Sequence, residues 1–485
     1  MRTCLLVTVC CAVVCFVGAG VASAQFINAL QVPGETTDLL EGATSQNDNR
    51  LSFGSGMAYD PTEDVFWGVP DRGPTGGLLP WDARVQKFNV DIDPVTMEIS
   101  NFQLLETIKL KTADGSQTFN GLYPELEHGN NTELGLSFDP EGLAISPING
   151  HFFIPDEYGP AIYEFERVEV NGVTEGRLVQ AFNVPEIYTP RNADGTPNYD
   201  PTIKPELGRQ KSRGFEGVAI SPDGVTLTAI MQDPLEEDGG RQGRNVRMPQ
   251  FDVATGECTR QLVYQLEDIA DINARIPGED MDYEGKDQGK SIVVSDLALL
   301  PNGNMVVLER DKRGFGTDDP TGTDPELTLV GTKRLYEIDL AAATDVSDLM
   351  FGDDPTGLPE GVVPVSKTLL VDIHAGLSGA GLQSPEKMEG IAIVPANDSS
   401  GKYLALISSD NDFSSITDDE GTTLHAQYDL YTDGTTGPFG EDPAGRTLLS
   451  SNIYAFAVPE PGTVSMLIGA LMTLGAVMFT RRRRG

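Results

Sequence analysis

Apolar and polar residues alternate with period two through most of this chain, in short runs broken by Pro, Gly, Asn and Asp. That period marks strands with one buried face. One pattern recurs five times: a small or acidic residue, an apolar-Ala-apolar step, a turn with Pro and usually Gly or Asn, a β-rich strand, and an acid. The copies begin at Gly56, Glu141, Glu216, Asp296 and Glu389. In the third copy the turn Ser221-Pro222-Asp223-Gly224 leads into Val225 to Met231 and then Asp233. Helical periodicity is nearly absent.

Each copy is followed by a third alternating segment, at residues 84–90, 162–166, 246–253, 334–340 and 452–458. A fourth apolar strand follows four of them, at 102–110, 178–184, 261–266 and 368–373. Four antiparallel strands repeated radially predict an all-β fold, a β-propeller of five or six four-stranded blades. The fifth unit runs out of chain after its third strand, and Phe26 to Val32 is expected to supply the fourth and close the ring. Repeat spacing is about 75–95 residues, well above the ~40–45 of a compact blade. The excess lies in polar stretches at 114–134, 190–213, 236–244 and 316–325. Loops on a rigid scaffold are where function tends to sit.

The two ends are of another kind. Arg2 precedes an apolar run from Leu5 to Val21, and Ala22-Ser23-Ala24 gives a small-x-small step. Residues 1–24 therefore read as a secretory signal peptide cleaved before Gln25. At the other end, Val458-Pro459-Glu460-Pro461-Gly462 leads into an apolar stretch, Thr463 to Phe479, closed by Arg481 to Arg484. About seventeen apolar residues as a helix nearly cross a bilayer core, with the arginines kept on the cytoplasmic side. Motif, apolar helix and basic end, in that order over 458–485, resemble a PEP-CTERM sorting signal. The resemblance implies a bacterial surface protein with a single C-terminal transmembrane helix. By that resemblance the helix would anchor it transiently until an exosortase-type enzyme removes the tail. Residues 25–457 are then one domain.

Charge narrows the partners. The chain has 34 Lys and Arg against 73 Asp and Glu, and five of the arginines lie in the two ends, so the middle carries a net charge of −44. Such a surface repels nucleic acid and anionic membranes and suits cations. Four of the five cysteines fall in the signal peptide, leaving Cys258 without a partner for an internal disulfide. There is no G-x-S-x-G elbow, P-loop or dinucleotide fingerprint, and His128, His151, His374 and His425 have no metal-ligand spacing.

The repeats offer acids instead. The first strand of a blade lines the central channel, so Glu141, Glu216, Asp296 and Glu389 are expected to converge on one mouth. Carboxylates gathered there repel one another unless a cation joins them, and hard oxygen donors select calcium or magnesium. The other reading of each is a brace accepting hydrogen bonds from strand amides. Asp71, Asp156, Glu157, Asp233, Glu309 and Asp410 close the second strands and form a second set. Arg72, Arg213 and Arg310 stand beside these motifs. Their forked donors fit phosphate or carboxylate oxygens, or pair with neighbouring acids to hold blades together.

Several segments resemble the phytase-like domain family, also described as having esterase-like activity of phytase. They are Phe138-Asp139-Pro140-Glu141-Gly142-Leu143-Ala144-Ile145 with Pro155-Asp156-Glu157-Tyr158-Gly159-Pro160, and Gly214-Phe215-Glu216-Gly217-Val218-Ala219. Ser295-Asp296-Leu297-Ala298 with Leu308-Glu309-Arg310, and Met388-Glu389-Gly390-Ile391-Ala392, belong with them. The resemblance spans roughly Ser52 to Val458 and implies a calcium-dependent ester or phosphoester hydrolase. Glu141, Glu216, Asp296 and Glu389 would then be catalytic, holding calcium that activates a water. Asp156, Glu157, Asp233, Glu309 and Asp410 would complete the metal set, and Arg72, Arg213 and Arg310 would stabilise charge on the substrate oxygens. A lactonase of the gluconolactonase type is a variant. The rival is a non-catalytic surface or matrix protein, binding calcium for rigidity and exopolysaccharide through its loops. Catalysis requires the acids and arginines at one mouth, whereas bracing scatters them.

Overall fold

The computed structural model describes residues 24–40, 49–74, 76–276, 283–351, 354–395, 402–417, 427–441 and 444–459. The expected signal peptide up to Ser23, the sorting segment from Glu460 and His425 lie outside the described residues. The fold is mostly β. Strand β1 (Gln25–Val32) opens it. Strands β2 (Gly56–Asp60), β3 (Val65–Val69), β4 (Arg84–Ile92) and β5 (Ile99–Lys111) form an antiparallel meander. The next is β6 (Ala144–Ile145), β7 (Phe152–Asp156), β8 (Ala161–Val170) and β9 (Val173–Ala181), joined to the first by a parallel β5–β9 pairing. Then come β10 (Phe215–Ile220), β11 (Thr226–Met231), β12 (Asn245–Asp252) and β13 (Cys258–Gln265). After them stand β14 (Ile292–Leu299), β15 (Met305–Asp311), β16 (Lys333–Asp339) and β17 (Ser366–Asp372). The last unit begins with β18 (Met388–Pro395) and β19 (Lys402–Ser409). Three short strands follow, β20 (Ser415–Thr417), β21 (Gln427–Leu430) and β22 (Thr436–Pro438), before β23 (Ser451–Pro459).

Strand order in the last unit is β1-β23-β19-β18, with β1 antiparallel to β23 from Gln25↔Ala457 to Val32↔Ser451. The first and last of these strands thus share one sheet, as the apolar run Phe26 to Val32 predicts. The innermost strands β2, β6, β10, β14 and β18 pack in sequence, and β18 returns to β2. Apolar side chains fill the space between neighbouring units. Phe53, Phe66 and Phe88 of the first, for example, share a cluster with Leu404, Leu406 and Ile453 of the last.

The recurring Glu-Gly step has a steric reason. A Cβ on Gly142 would lie 2.4 Å from the Glu216 carbonyl oxygen, one on Gly217 2.2 Å from the Leu297 nitrogen, and one on Gly390 2.8 Å from the Met57 nitrogen. Backbones therefore meet around the ring axis, and only glycine permits that approach. Gly142→Ala is expected to destabilise the protein by about 3 kcal/mol through forced overpacking, read as a lowered melting temperature by calorimetry.

The 40 residues between Asp410 and β23 carry no strand signal in the sequence, yet β20 to β22 form a small separate sheet there. Strands of three or four residues are too short to show a period. Among the described residues, no helix is long and apolar enough to cross a membrane.

Candidate functional site

Irregularities in the inner strands aim the site. In β10 the ladder skips Glu216 between Phe215 and Gly217, and in β18 it shifts across Glu389 and Gly390. A bulge adds one residue and re-aims its side chain. Glu216 and Glu389 thereby approach Glu141, which precedes β6, and burial plus these mutually repelling carboxylates raises the pKa of Glu141 well above the carboxylate range. In β14 the bulge falls on Ser295, not Asp296. One residue further on, the side chain takes the opposite face. Asp296 accepts the N–H groups of Leu297 and of Ile391 in β18, both at 2.7 Å. Expected among the catalytic and metal ligands, it is a brace between two inner strands. Ser295 stands in the register position of Glu216, and its hydroxyl accepts from Arg310 Nε at 2.7 Å.

Two more expected ligands are braces. Asp156 accepts the N–H of Asp139 at 2.9 Å and of Gly159 at 2.6 Å. Glu309 accepts from Tyr264 Oη and the Glu267 N–H, both at 2.6 Å, and pairs with Lys367 at 2.8 Å, away from the central mouth.

Of the other expected residues, Asp71, Glu141, Glu157, Glu389 and the three arginines line a cavity of about 260 Å³, whereas Glu216, Asp233 and Asp410 lie outside its lining. Asp71 and Arg72 line it from behind β3, Glu141 and Glu157 from either side of β6–β7, Arg213 from before β10, Arg310 from β15, and Glu389 from β18. Arg72 bonds Asp139 and, at 3.1 Å, Glu157. Arg213 pairs with Asp233, Arg310 with Glu389 at 2.8 Å, and Lys387 with Asp412. The opposite mouth holds a larger cavity of about 370 Å³, but its walls are mostly apolar, with Met57, Leu143, Val218, Leu297 and Ile391 among them. The titratable side chains gather at the polar mouth.

Two acidic groups stand out there. Oxygens of Asp139, Glu141 and Glu157 lie within 4.8 Å of one another, as do those of Asp71, Asp410 and Asp412. Each group contains one base, Arg72 or Lys387, and so keeps two formal negative charges. Burial drives the protonation state. It pushes Asp71 and Asp139 up to about 7, aided by neighbouring carboxylates. It raises Glu216 and Asp410 well above their usual range. Asp412 moves the other way, because Lys387 and Thr317 overcome its burial. Glu216 is 1% exposed, and its Oε1 has no hydrogen-bond partner. A buried oxygen with no hydrogen-bond partner, beside Glu157 and Glu389, is a donor suited to a hard cation, so the donor set fits calcium or magnesium.

Asp139, Asp412, Lys211, Lys312 and Lys387 were not singled out from the sequence. Asp139 lies two residues before Glu141 inside a quoted motif, and Asp412 repeats Asp410 at the same Asp-x-Asp spacing. Asp412, Phe413 and Ser414 have φ of 46°, 55° and 51°, three non-glycine residues held left-handed. Such strain persists only where surroundings impose it. Here Phe413 is fully buried against the Trp81 ring, with centroids 5.2 Å apart, and its carbonyl accepts from Arg50 at 3.1 Å.

Residues 50–413 match the phytase-like family, described as esterase-like activity of phytase, and the chain belongs to that family. It is 29% identical over 440 residues to an uncharacterized secreted protein of Arthroderma benhamiae, covering 74% of this chain and 82% of that one. Among solved structures it is similar to the Pseudomonas aeruginosa periplasmic gluconolactonase PpgL, at 13% identity and a TM-score of 0.32, covering 83% of this chain and 86% of that one. Hydrazine synthase of Kuenenia stuttgartiensis gives 14% identity and a TM-score of 0.32, covering 76% and 80%.

Proposed function

We propose that the protein is a secreted, surface-sorted hydrolase of phosphoesters or other esters, working with calcium at the polar mouth of a five-bladed propeller. One observation carries this reading: every four-stranded unit contributes an acid or an arginine to a single cavity. Family membership and a secreted relative support it, as do the signal peptide and sorting segment read from the sequence. Asp139, Glu141 and Glu157 would hold the cation, with the unmatched Glu216 oxygen beside them, and Asp71, Asp410 and Asp412 offer a second position. The cation, when bound, supplies Lewis acidity and a more acidic bound water. The chain's own groups do the rest. Arg72 fixes the Asp139 and Glu157 carboxylates, while Arg213 and Arg310 present N–H groups to substrate oxygens.

The second reading is a non-catalytic calcium-binding surface protein in an exopolysaccharide matrix, favoured by the braces at Asp156, Asp296 and Glu309. Residues 25–459, assayed with p-nitrophenyl phosphate, p-nitrophenyl acetate and phytate, separate the two. Turnover with calcium that disappears in EDTA supports the hydrolase. No turnover on all three, with a calcium-dependent rise in melting temperature, supports the matrix protein.

A further inference from the structure

We propose that Lys211 and Lys312, flanking Arg213, form an anion subsite that takes the phosphoryl group of a phosphomonoester. The mouth is then divided into a cation half, built from the acidic groups, and an anion half before β10 and after β15. The proposal rests on the hydrolase reading for the ester, but not for the anion.

The argument begins with which bases are already engaged. Of the six lysines and arginines lining the cavity, four have a carboxylate partner. Arg72 holds Asp139 and Glu157, Arg213 holds Asp233, Arg310 holds Glu389, and Lys387 holds Asp412. Lys211 and Lys312 make no ion pair or hydrogen bond among the described residues. In a chain with 73 acids and 34 bases, a lysine without a carboxylate at a lined cavity is a selected arrangement. Lys312 is half-buried just past β15, whereas Lys211 is exposed at the rim.

The surroundings of Lys312 explain why it remains available. Burial and then the charge of Arg213 push its ammonium down to about 7, and Arg310 adds to the repulsion. Asp233 and Glu157 pull the other way, but neither is within ion-pair distance of Lys312, and Asp233 Oδ2 is bound to Arg213 and Glu157 to Arg72. Three cations facing one space repel one another unless an anion joins them, the converse of the acidic groups across the cavity. Ser212, between Lys211 and Arg213, has φ of 48° and also lines the cavity, adding a hydroxyl.

Charge and shape choose among anions. Two unpaired ammonium groups match a phosphomonoester, which carries about −1.5 to −2 near neutral pH. A carboxylate brings a single charge and leaves one ammonium unmatched. Donors from two lysines, a guanidinium and a hydroxyl also suit several tetrahedral oxygens better than two in a plane. The site therefore selects phosphomonoesters over carboxylic esters.

Titration calorimetry of the full-length chain with inorganic phosphate, and separately with acetate, tests this in EDTA and again in calcium. Phosphate is expected to bind without calcium and more tightly than acetate. Lys312→Met should weaken it about tenfold or more, the loss of one charge-assisted contact, and Lys312→Arg should retain most of the affinity. Melting curves of both variants establish that they are folded. Equal phosphate affinity in the wild type and folded Lys312→Met, or acetate binding as tightly as phosphate, overturns the proposal. Phosphate held by Lys312 with no ester turned over sinks the hydrolase reading and leaves the subsite standing. Calcium-dependent turnover of p-nitrophenyl acetate, with phosphate binding indifferent to Lys312→Met, does the reverse.

Discussion

Glu141→Gln is expected to lose calcium-dependent activity by at least on the order of 100-fold while making the calcium-free protein more stable. The two effects have one cause. Glu141 is buried among Asp139, Glu157, Glu216 and Glu389, and its charged form is disfavoured first by burial and then by each neighbour in turn. Glutamine keeps the shape and removes the charge, so the repulsion is relieved and no cation is needed to relieve it. Arg72 still holds Asp139 and Glu157, so the local fold is preserved. Sites built for function commonly oppose stability in this way. The control is Asp296→Ala. It removes the acceptor for the Leu297 and Ile391 N–H groups, leaving buried donors unmatched at about 1–3 kcal/mol each. Its melting temperature should fall with and without calcium. Calorimetry of both variants, with calcium and with EDTA, decides the matter. A calcium-free Glu141→Gln that melts below the wild type would make Glu141 a brace like Asp296 and remove the cation site.

Much of the architecture was legible because each unit repeats the same two signals, alternation and a Pro-containing turn. Five copies of a weak pattern fix strand order where a single copy could not. Even the closing strand was readable, since Phe26 to Val32 is apolar and had no other partner. The site was legible only in part. Glu141, Glu216 and Glu389 share a Glu-Gly step whose glycine is required by backbone contact at the axis, so one constraint marked both residues. Asp296 fits the same sequence pattern but sits one residue past its bulge, and a bulge leaves no trace in alternation. Glu309 looked like the other strand-closing acids, yet its partners are Tyr264 and Lys367 from distant segments. Asp412 and Lys312 lie outside the repeat altogether. Their place at the mouth follows from the buried Phe413 anchor and from the turn after β15, and neither has a periodic signature.

Without calcium, the protein is expected to be less stable at pH 8 than at pH 5, the opposite of a fold whose carboxylates are salt-bridged. Asp71 and Asp139, coupled by their proximity, are raised from the usual aspartate range to about 7. Between about pH 4 and pH 7 the folded state therefore holds more protons than the unfolded chain, and stability falls as pH rises through that window. Glu216 and Asp410 are raised too and act in the same direction. Lys312 and Lys333, lowered to about 7 and about 8 by burial, act with the opposite sign but only above neutrality. The lowered Asp412 contributes only in the acid range below the window. For the coupled pair the loss is on the order of 4 kcal/mol, or roughly 5 °C in a chain of this size. Calcium should reverse the slope. Carboxylates that hold a cation are ionised in the folded state, so their pKa drops below the unfolded value and stability then rises with pH over the same window. Melting curves from pH 5 to pH 8, in EDTA and in saturating calcium, should therefore diverge toward alkaline pH. Parallel curves would mean that the acids at the polar mouth carry no cation, and that Arg72 and Lys387 alone satisfy them.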